Sequence, residues 1–295
     1  MGAVARQLAL SAKETTTKAS RLLVISRRAG SMTPEIEAKL RSAFADHLVI
    51  DFDPDSDFEK LITPQARIVV AGGDGTVEFM LRKLADTKHP VGVLSLGTFN
   101  NFARALGLPD KLDQAIVVAK TGHARAITLG RVNGRVFVEA CAIGLFGETI
   151  ALGDSAKDME FGALVGKLKD VMAAKRFHYE LSGDIRGNGT AMSLVFSNTS
   201  SIGTQMRVSD STPTDPYLEF SVHAGRSRTD IVGRAIISAL HRQESDEGID
   251  QVFKFQRLEV KTRPRVRVYA DNLLVGRTPA TITSELSAVK VLMPK

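Results

Sequence analysis

The sequence predicts two domains of different class: an α/β domain with a parallel sheet, then an antiparallel β domain. Three observations carry this. Up to about residue 126, short apolar runs alternate with stretches of helical spacing, the pattern of a parallel sheet covered by helices. From Ile127 onward strand-like runs dominate. Two glycine-rich turns, Gly72–Thr76 and Gly97–Asn101, follow apolar runs in the first part.

In chain order, Arg21–Ser26 (RLLVIS) reads as a strand. Thr33-Pro34 opens a helix, since Thr caps and Pro suits the first helical position. Ile36, Leu40, Ala43 and Phe44 give that helix its apolar face. Leu48–Phe52 is a second strand, followed by the acidic loop Asp53–Asp57, and Ala66–Ala71 is a third. Val77, Met80, Leu81 and Leu84 recur at helical spacing; Val91–Leu96 is again a strand. Leu112, Ala115, Ile116 and Ala119 mark a helix stopped near Gly122. Residues 127–140 read as a hairpin around Asn133-Gly134, the pair favoured in type I′ turns. Further strands are expected at Phe177–Leu181, Met192–Ser197, Tyr217–His223, Arg257–Thr262, Val266–Ala270 and Val289–Met293. Helices are expected at Phe161–Ala174 and Asp230–Leu240. No tandem repeat is visible.

The chain has 295 residues, 43% hydrophobic and 24% charged, which suits a globular protein with a sizeable core. A single cysteine, Cys141, excludes an internal disulfide and a thiolate zinc site and fits a reducing compartment. No stretch reaches the roughly 20 apolar residues of a membrane span, and Met1–Ser20 lacks a signal-peptide core. The expected setting is cytoplasmic, with at most peripheral membrane contact. Residues 1–20 are read as a disordered lead-in. The net charge of +6 suits anionic partners, but the basic residues are spread out and no nucleic-acid partner is expected. Arg263, Arg265 and Arg267 alternate, so one strand would put them on one face, read as solvated rather than anion-binding. The six histidines show no pair with metal-ligand spacing.

The glycine turns carry the chemistry. Strand ends in an open α/β sheet are where ligands bind. Glycine lets a backbone approach phosphate closely, and a helix start offers free N–H groups. Asp74 adds a carboxylate for a metal ion or a proton, and Thr76 a hydroxyl. The second turn, Gly97-Thr98-Phe99-Asn100-Asn101, would line the same crevice. Neither turn has the Gly-Lys-Ser/Thr of a P-loop or the spacing of G-x-G-x-x-G.

Gly72-Gly73-Asp74-Gly75-Thr76 resembles the GGDGT signature shared by diacylglycerol kinases, sphingosine and ceramide kinases and NAD kinases. Val91–Pro109 (VGVLSLGTFNNFARALGLP) resembles the lipid-kinase form of the second motif, PLGTxNDFAR followed by L-G-x-P. Leu129–Val138 with Ile143-Gly144, and Tyr269-Ala270-Asp271 with Thr278-Pro279, resemble later family motifs. The chain is thus identified as diacylglycerol kinase-like. The resemblance implies an α/β nucleotide-binding domain at 21–126, a β-sandwich substrate domain at 127–280, and final strands at 281–295 returning to the first domain. It implies phosphoryl transfer from ATP to a lipid hydroxyl of the diacylglycerol, sphingoid or ceramide kind, with Mg2+. Asp74 would bind the metal–nucleotide complex and Asp271 would take the hydroxyl proton. Gly72, Gly73, Gly75, Thr76, Gly97, Thr98, Asn100, Asn101, Ser26 and Arg27 would line the nucleotide site.

The sequence departs from that pattern in several places. Where the family's first strand ends in N-P-x-S-G, this chain has Ser26-Arg27-Arg28-Ala29-Gly30. Customary carboxylates are replaced by Asn101, Thr128 and Leu273. Glu148 falls either in the cleft or in a solvated loop. Three readings stay open: a lipid kinase, a weak or inactive member that binds nucleotide or lipid, and an NAD kinase-like enzyme. The second motif argues against the last. The oligomeric state is left open, a homodimer included.

Overall fold

A computed structural model describes residues 18–148, 175–202, 206–223 and 252–294. Most of the expected lead-in and the expected helices Phe161–Ala174 and Asp230–Leu240 lie outside the described residues.

The chain opens with parallel pairing. β1 (Ala19–Ile25) lies between β2 (Leu48–Asp51) and β3 (Ile62–Gly72), and β3 pairs with β4 (Pro90–Ser95). The helices α1 (Pro34–Ala43), α2 (Asp74–Leu84), α3 (Asn101–Ala105) and α4 (Leu112–Thr121) complete this part. Thr33 caps α1 as its sequence requires: the Ile36 N–H donates to the Thr33 hydroxyl at 3.3 Å. The first strands read as continuous apolar runs because both faces are covered. Leu22, Val24, Ile68 and Val70 pack on the side of Val77, Met80 and Leu81 of α2. Leu23, Ile25, Val69 and Ala71 pack on the side of Leu40, Phe44 and Ala115.

β5 (His123–Val132) and β6 (Arg135–Phe137) form the expected hairpin. Asn133 and Gly134 have φ of 49° and 82°, the positive values of a type I′ turn. The expected boundary at Ile127 falls inside β5. β7 (Ala140–Gly144), β8 (Phe177–Gly183), β9 (Gly187–Ala191), β10 (Ser193–Ser197), β11 (Ser201–Ile202), β12 (Met206–Arg207) and β13 (Leu218–His223) follow. β14 (Val252–Phe255), β15 (Arg257–Arg263), β16 (Arg267–Ala270), β17 (Leu273–Arg277) and β18 (Ala280–Met293) complete the described chain.

β18 joins the two halves. Its end pairs in parallel with β4, Lys290 opposite Pro90 and Val291 opposite Val91. The rest pairs antiparallel with β5 and β15. One ten-stranded sheet results, ordered β2-β1-β3-β4-β18-β15-β8-β9, with β5 also on β18 and β6 on β5. A second, antiparallel sheet runs β14-β13-β10-β7-β16-β17. Phe196, Phe220 and Cys141 of the second sheet share one apolar core with Phe177, Leu258 and Ile282 of the first.

Two local expectations are corrected. Val289–Met293 is only the end of the 14-residue β18, whose earlier part carries polar residues and shows no clean alternation. Arg263, Arg265 and Arg267 do not share a strand face. Pro264 brings no N–H to a ladder, β15 ends at Arg263, and Arg267 begins β16 in the other sheet.

β18 predicts where the fold is most sensitive. Ile282 is fully buried and pairs with Val132 and Leu258. Ile282→Ala should cost about 2–5 kcal/mol of stability, read by urea unfolding.

Candidate active site at the glycine loops

Three strand ends of the parallel sheet converge. Ser26, just past β1, is buried, and its N–H donates to Ala71 O at 2.8 Å. The Ser31 N–H donates to Leu96 O at 2.9 Å, which draws the loop after β1 against the start of the Gly97–Asn101 turn. The glycine loops touch through their backbones: a Cβ on Gly97 would stand 2.8 Å from Gly73 Cα and 2.8 Å from Asn100 Oδ1. Asn100 closes its own loop in the left-handed region, φ 54°, accepting the Gly97 N–H at 2.9 Å. Its backbone N–H donates to Asp74 Oδ2 at 2.8 Å. Asp74 thus begins α2 and is fixed by the second loop. The buried Thr76 lies within the first turn of α2, and Thr98 is exposed at the rim.

Asp271 faces α2 from the β16–β17 turn, with φ 50° and a side chain 3% exposed. Its Oδ1 accepts the N–H groups of Val138, Glu139 and Ala140 at 3.1, 2.8 and 3.2 Å. Its Oδ2 accepts from Val138 N at 3.0 Å and from Arg82 Nη1 of α2 at 2.7 Å. The same Arg82 nitrogen lies 3.4 Å from Glu78 Oε2. Burial pushes the Asp271 carboxyl above its ordinary value, and Arg82 and the three amides pull against it. Glu78 is raised well above its ordinary value by its burial and by the charges of Asp271 and Glu139. Asn101 is buried and donates to Glu139 Oε2 at 3.3 Å.

Residues 24–132 match the family described as the diacylglycerol kinase catalytic domain. The match covers the part of the chain that carries both glycine loops. A diacylglycerol kinase of Bacillus subtilis strain 168 is 27% identical over 237 residues, covering 77% of this chain and 78% of that protein. The fold is shared with the crystal structure of a diacylglycerol kinase from Bacillus anthracis strain Sterne, at TM-score 0.67 and 19% identity over 94% of this chain and 97% of that one. It is shared more distantly with an NAD kinase from Archaeoglobus fulgidus in complex with ATP, at TM-score 0.55 and 12% identity over 93% and 94% of the two chains.

The remaining singled-out residues are placed as follows. Arg27 pairs with Glu37 and Asp51 at 3.1 and 3.3 Å. Thr128 is fully buried and donates its hydroxyl to Asp215 O at 2.5 Å, so it ties down the 213–215 segment. Leu273 is exposed on β17. Glu148 pairs with Arg267 at 3.1 Å. Burial pushes the Cys141 thiol up, as expected of an inert core residue. No group of three or more metal-ligating side chains is present among the described residues, and no helix among them is long and apolar enough to cross a membrane.

Sequence reasoning missed Glu78, Arg82 and Glu139. A signal for the first two existed: they follow Asp74 by four and eight residues, a charged stripe on one helix face. Glu139 carried no local signal, since only the fold brings it to Asn101.

The contact between the glycine loops is open to test. Gly97→Ala should destabilise the protein by about 1–3 kcal/mol, because backbone must move. Gly30→Ala, whose Cβ would come no closer than 3.4 Å to Thr98 Oγ1, should change urea unfolding far less.

Proposed function

We propose that the protein is an ATP-dependent lipid kinase that transfers the γ-phosphoryl group to a lipid hydroxyl of the diacylglycerol or sphingoid/ceramide kind. The observation that carries this reading is the backbone contact of Gly73 with Gly97 at the start of α2, with Asp74 anchored between the loops. Such a cradle suits phosphate: it has no side chains in the way, a helix N-terminus behind it and a carboxylate beside it. The donor set also suits Mg2+, a hard cation held through one or two carboxylates together with phosphate oxygens. Asp74 would hold that ion, which supplies charge neutralisation for the transferring phosphoryl group.

The chain's own residues then orient the reactants. Amides of the two glycine loops would hold the phosphates, and Ser26, Thr76 and Thr98 line the same strand ends. Asp271 is the acceptor-side carboxylate. As the hydroxyl oxygen bonds to the γ-phosphorus, the bond from phosphorus to the bridging oxygen breaks and ADP leaves. The hydroxyl proton passes to Asp271. The match to the diacylglycerol kinase catalytic domain over residues 24–132 and the ATP complex of the Archaeoglobus fulgidus NAD kinase support ATP as donor. Peripheral contact with a membrane on the cytoplasmic side belongs to this reading, because the acceptor is a lipid.

One observation favours a second reading, a binding-only member. The Asp271 carboxylate already accepts three backbone N–H groups and Arg82, leaving it little capacity for a proton. Labelled ATP with mixed micelles of diacylglycerol, ceramide and sphingoid bases separates the two. Phosphorylated lipid is expected; none, with Mg-ATP still bound, overturns the kinase reading. NADP formation in a parallel assay would instead favour the NAD kinase alternative.

Asp74→Asn should leave the fold intact, because the amide oxygen can still accept the Asn100 N–H. It should lower Mg-ATP affinity or turnover at least roughly tenfold, about 1.4 kcal/mol. Asp271→Asn should spare Mg-ATP binding and reduce turnover. Calorimetry with Mg-ATP and a thermal melt on both variants separate these effects.

A further inference from the structure

We propose that Arg82 is a positioning residue that ties the acceptor-side carboxylate Asp271 to the nucleotide-loop helix and holds that carboxylate ionised. The inference rests on the kinase reading only for what Asp271 does during turnover.

Arg82 lies two turns along the helix that begins at Asp74, on the stripe it shares with Glu78. Its side chain is 19% exposed, unusual for arginine, and its burial is offset by the bond to Asp271. The Asp271 carboxylate collects three separate parts of the chain. These are its own β16–β17 turn, the 138–140 segment between β6 and β7, and α2. The backbone amides reach mainly Oδ1, whereas Arg82 reaches Oδ2. Arg82 is therefore the one side-chain link to Asp271 among the described hydrogen bonds, and it comes from the nucleotide side.

The other ionisable groups here are Asp74 and Glu78 on α2, Glu139 in the 138–140 segment and Cys141 on β7. Each interacts electrostatically with Asp271 or with its carboxylate neighbours. None of them carries positive charge in either protonation state. Arg82 is the cation whose charge acts on both Glu78 and Asp271. Removing it leaves carboxylates facing one another in a buried space, where they compete for a proton and the Asp271 carboxyl rises. A guanidinium at that point keeps Asp271 charged at the pH of turnover and in register with the helix that carries Asp74.

The test compares the full-length parent with Arg82→Gln, Arg82→Lys and Glu78→Gln. Aspartate carboxyl carbons are labelled with 13C, and the Asp271 signal is identified by its loss in Asp271→Asn. Its titration midpoint should rise by at least about one pH unit in Arg82→Gln and return most of the way in Arg82→Lys. It should fall in Glu78→Gln, which removes a competing carboxylate. The acid limb of lipid phosphorylation should move with the midpoint in each variant. An unmoved midpoint in a folded Arg82→Gln protein overturns the proposal. So does faster turnover in that variant at every pH, since Arg82 would then be an obstruction. If Arg82→Gln does not fold, the Lys and Glu78→Gln titrations decide: a midpoint raised by a full pH unit in Arg82→Lys, or one that does not fall in Glu78→Gln, overturns the proposal. If the parent phosphorylates no lipid, the kinase reading fails while the carboxyl titration still decides the role of Arg82.

Discussion

A buried aspartate organises the centre of this molecule. A carboxylate taken out of water must be surrounded by donors or lose its charge. Asp271 meets that demand with the amides of 138–140 and with Arg82. The donors come from chain segments far apart, one of them separated from Asp271 by 189 residues. Satisfying one side chain therefore fixes the second sheet relative to α2, and α2 is the helix that starts in the first glycine loop. These bonds link the second sheet to that helix, alongside the apolar packing of the two sheets.

β18 supplies the complementary constraint through the backbone. It runs parallel to β4 at one end and antiparallel to β5 and β15 along the rest. The parallel strands that present the glycine loops and the antiparallel strands that face the second sheet are consequently one continuous sheet. A shift of β18 would disturb both apolar cores, because Val289 and Val291 belong to one and Ile282 to the other.

The distribution of charge near the loops is also a product of the fold. Asn101 has no charge of its own but donates to the carboxylate of Glu139, and Glu78 contributes a second acid from α2. Carboxyl groups near the loops thus stand at 78 and 139 as well as at 74 and 271. Thr128, by contrast, serves as a backbone tie.

Local chemistry made much of this legible from sequence alone. Apolar runs, the Thr33-Pro34 cap, the Asn133-Gly134 turn and the two glycine loops depend on residues within a few positions of one another. Their conformations follow from sterics and near-neighbour hydrogen bonds. The family signature, and through it Asp74 and Asp271 as candidates, is local in the same sense. Tertiary structure alone decided what those candidates touch. The length of β18, the separation of Arg263 from Arg267 into different sheets, the Asn101–Glu139 contact and the donors on Asp271 all join distant segments. No periodicity encodes which distant amide or guanidinium a buried carboxylate will meet. That depends on how two sheets and a helix close on one another, and the need to satisfy the buried charge helps determine how they close.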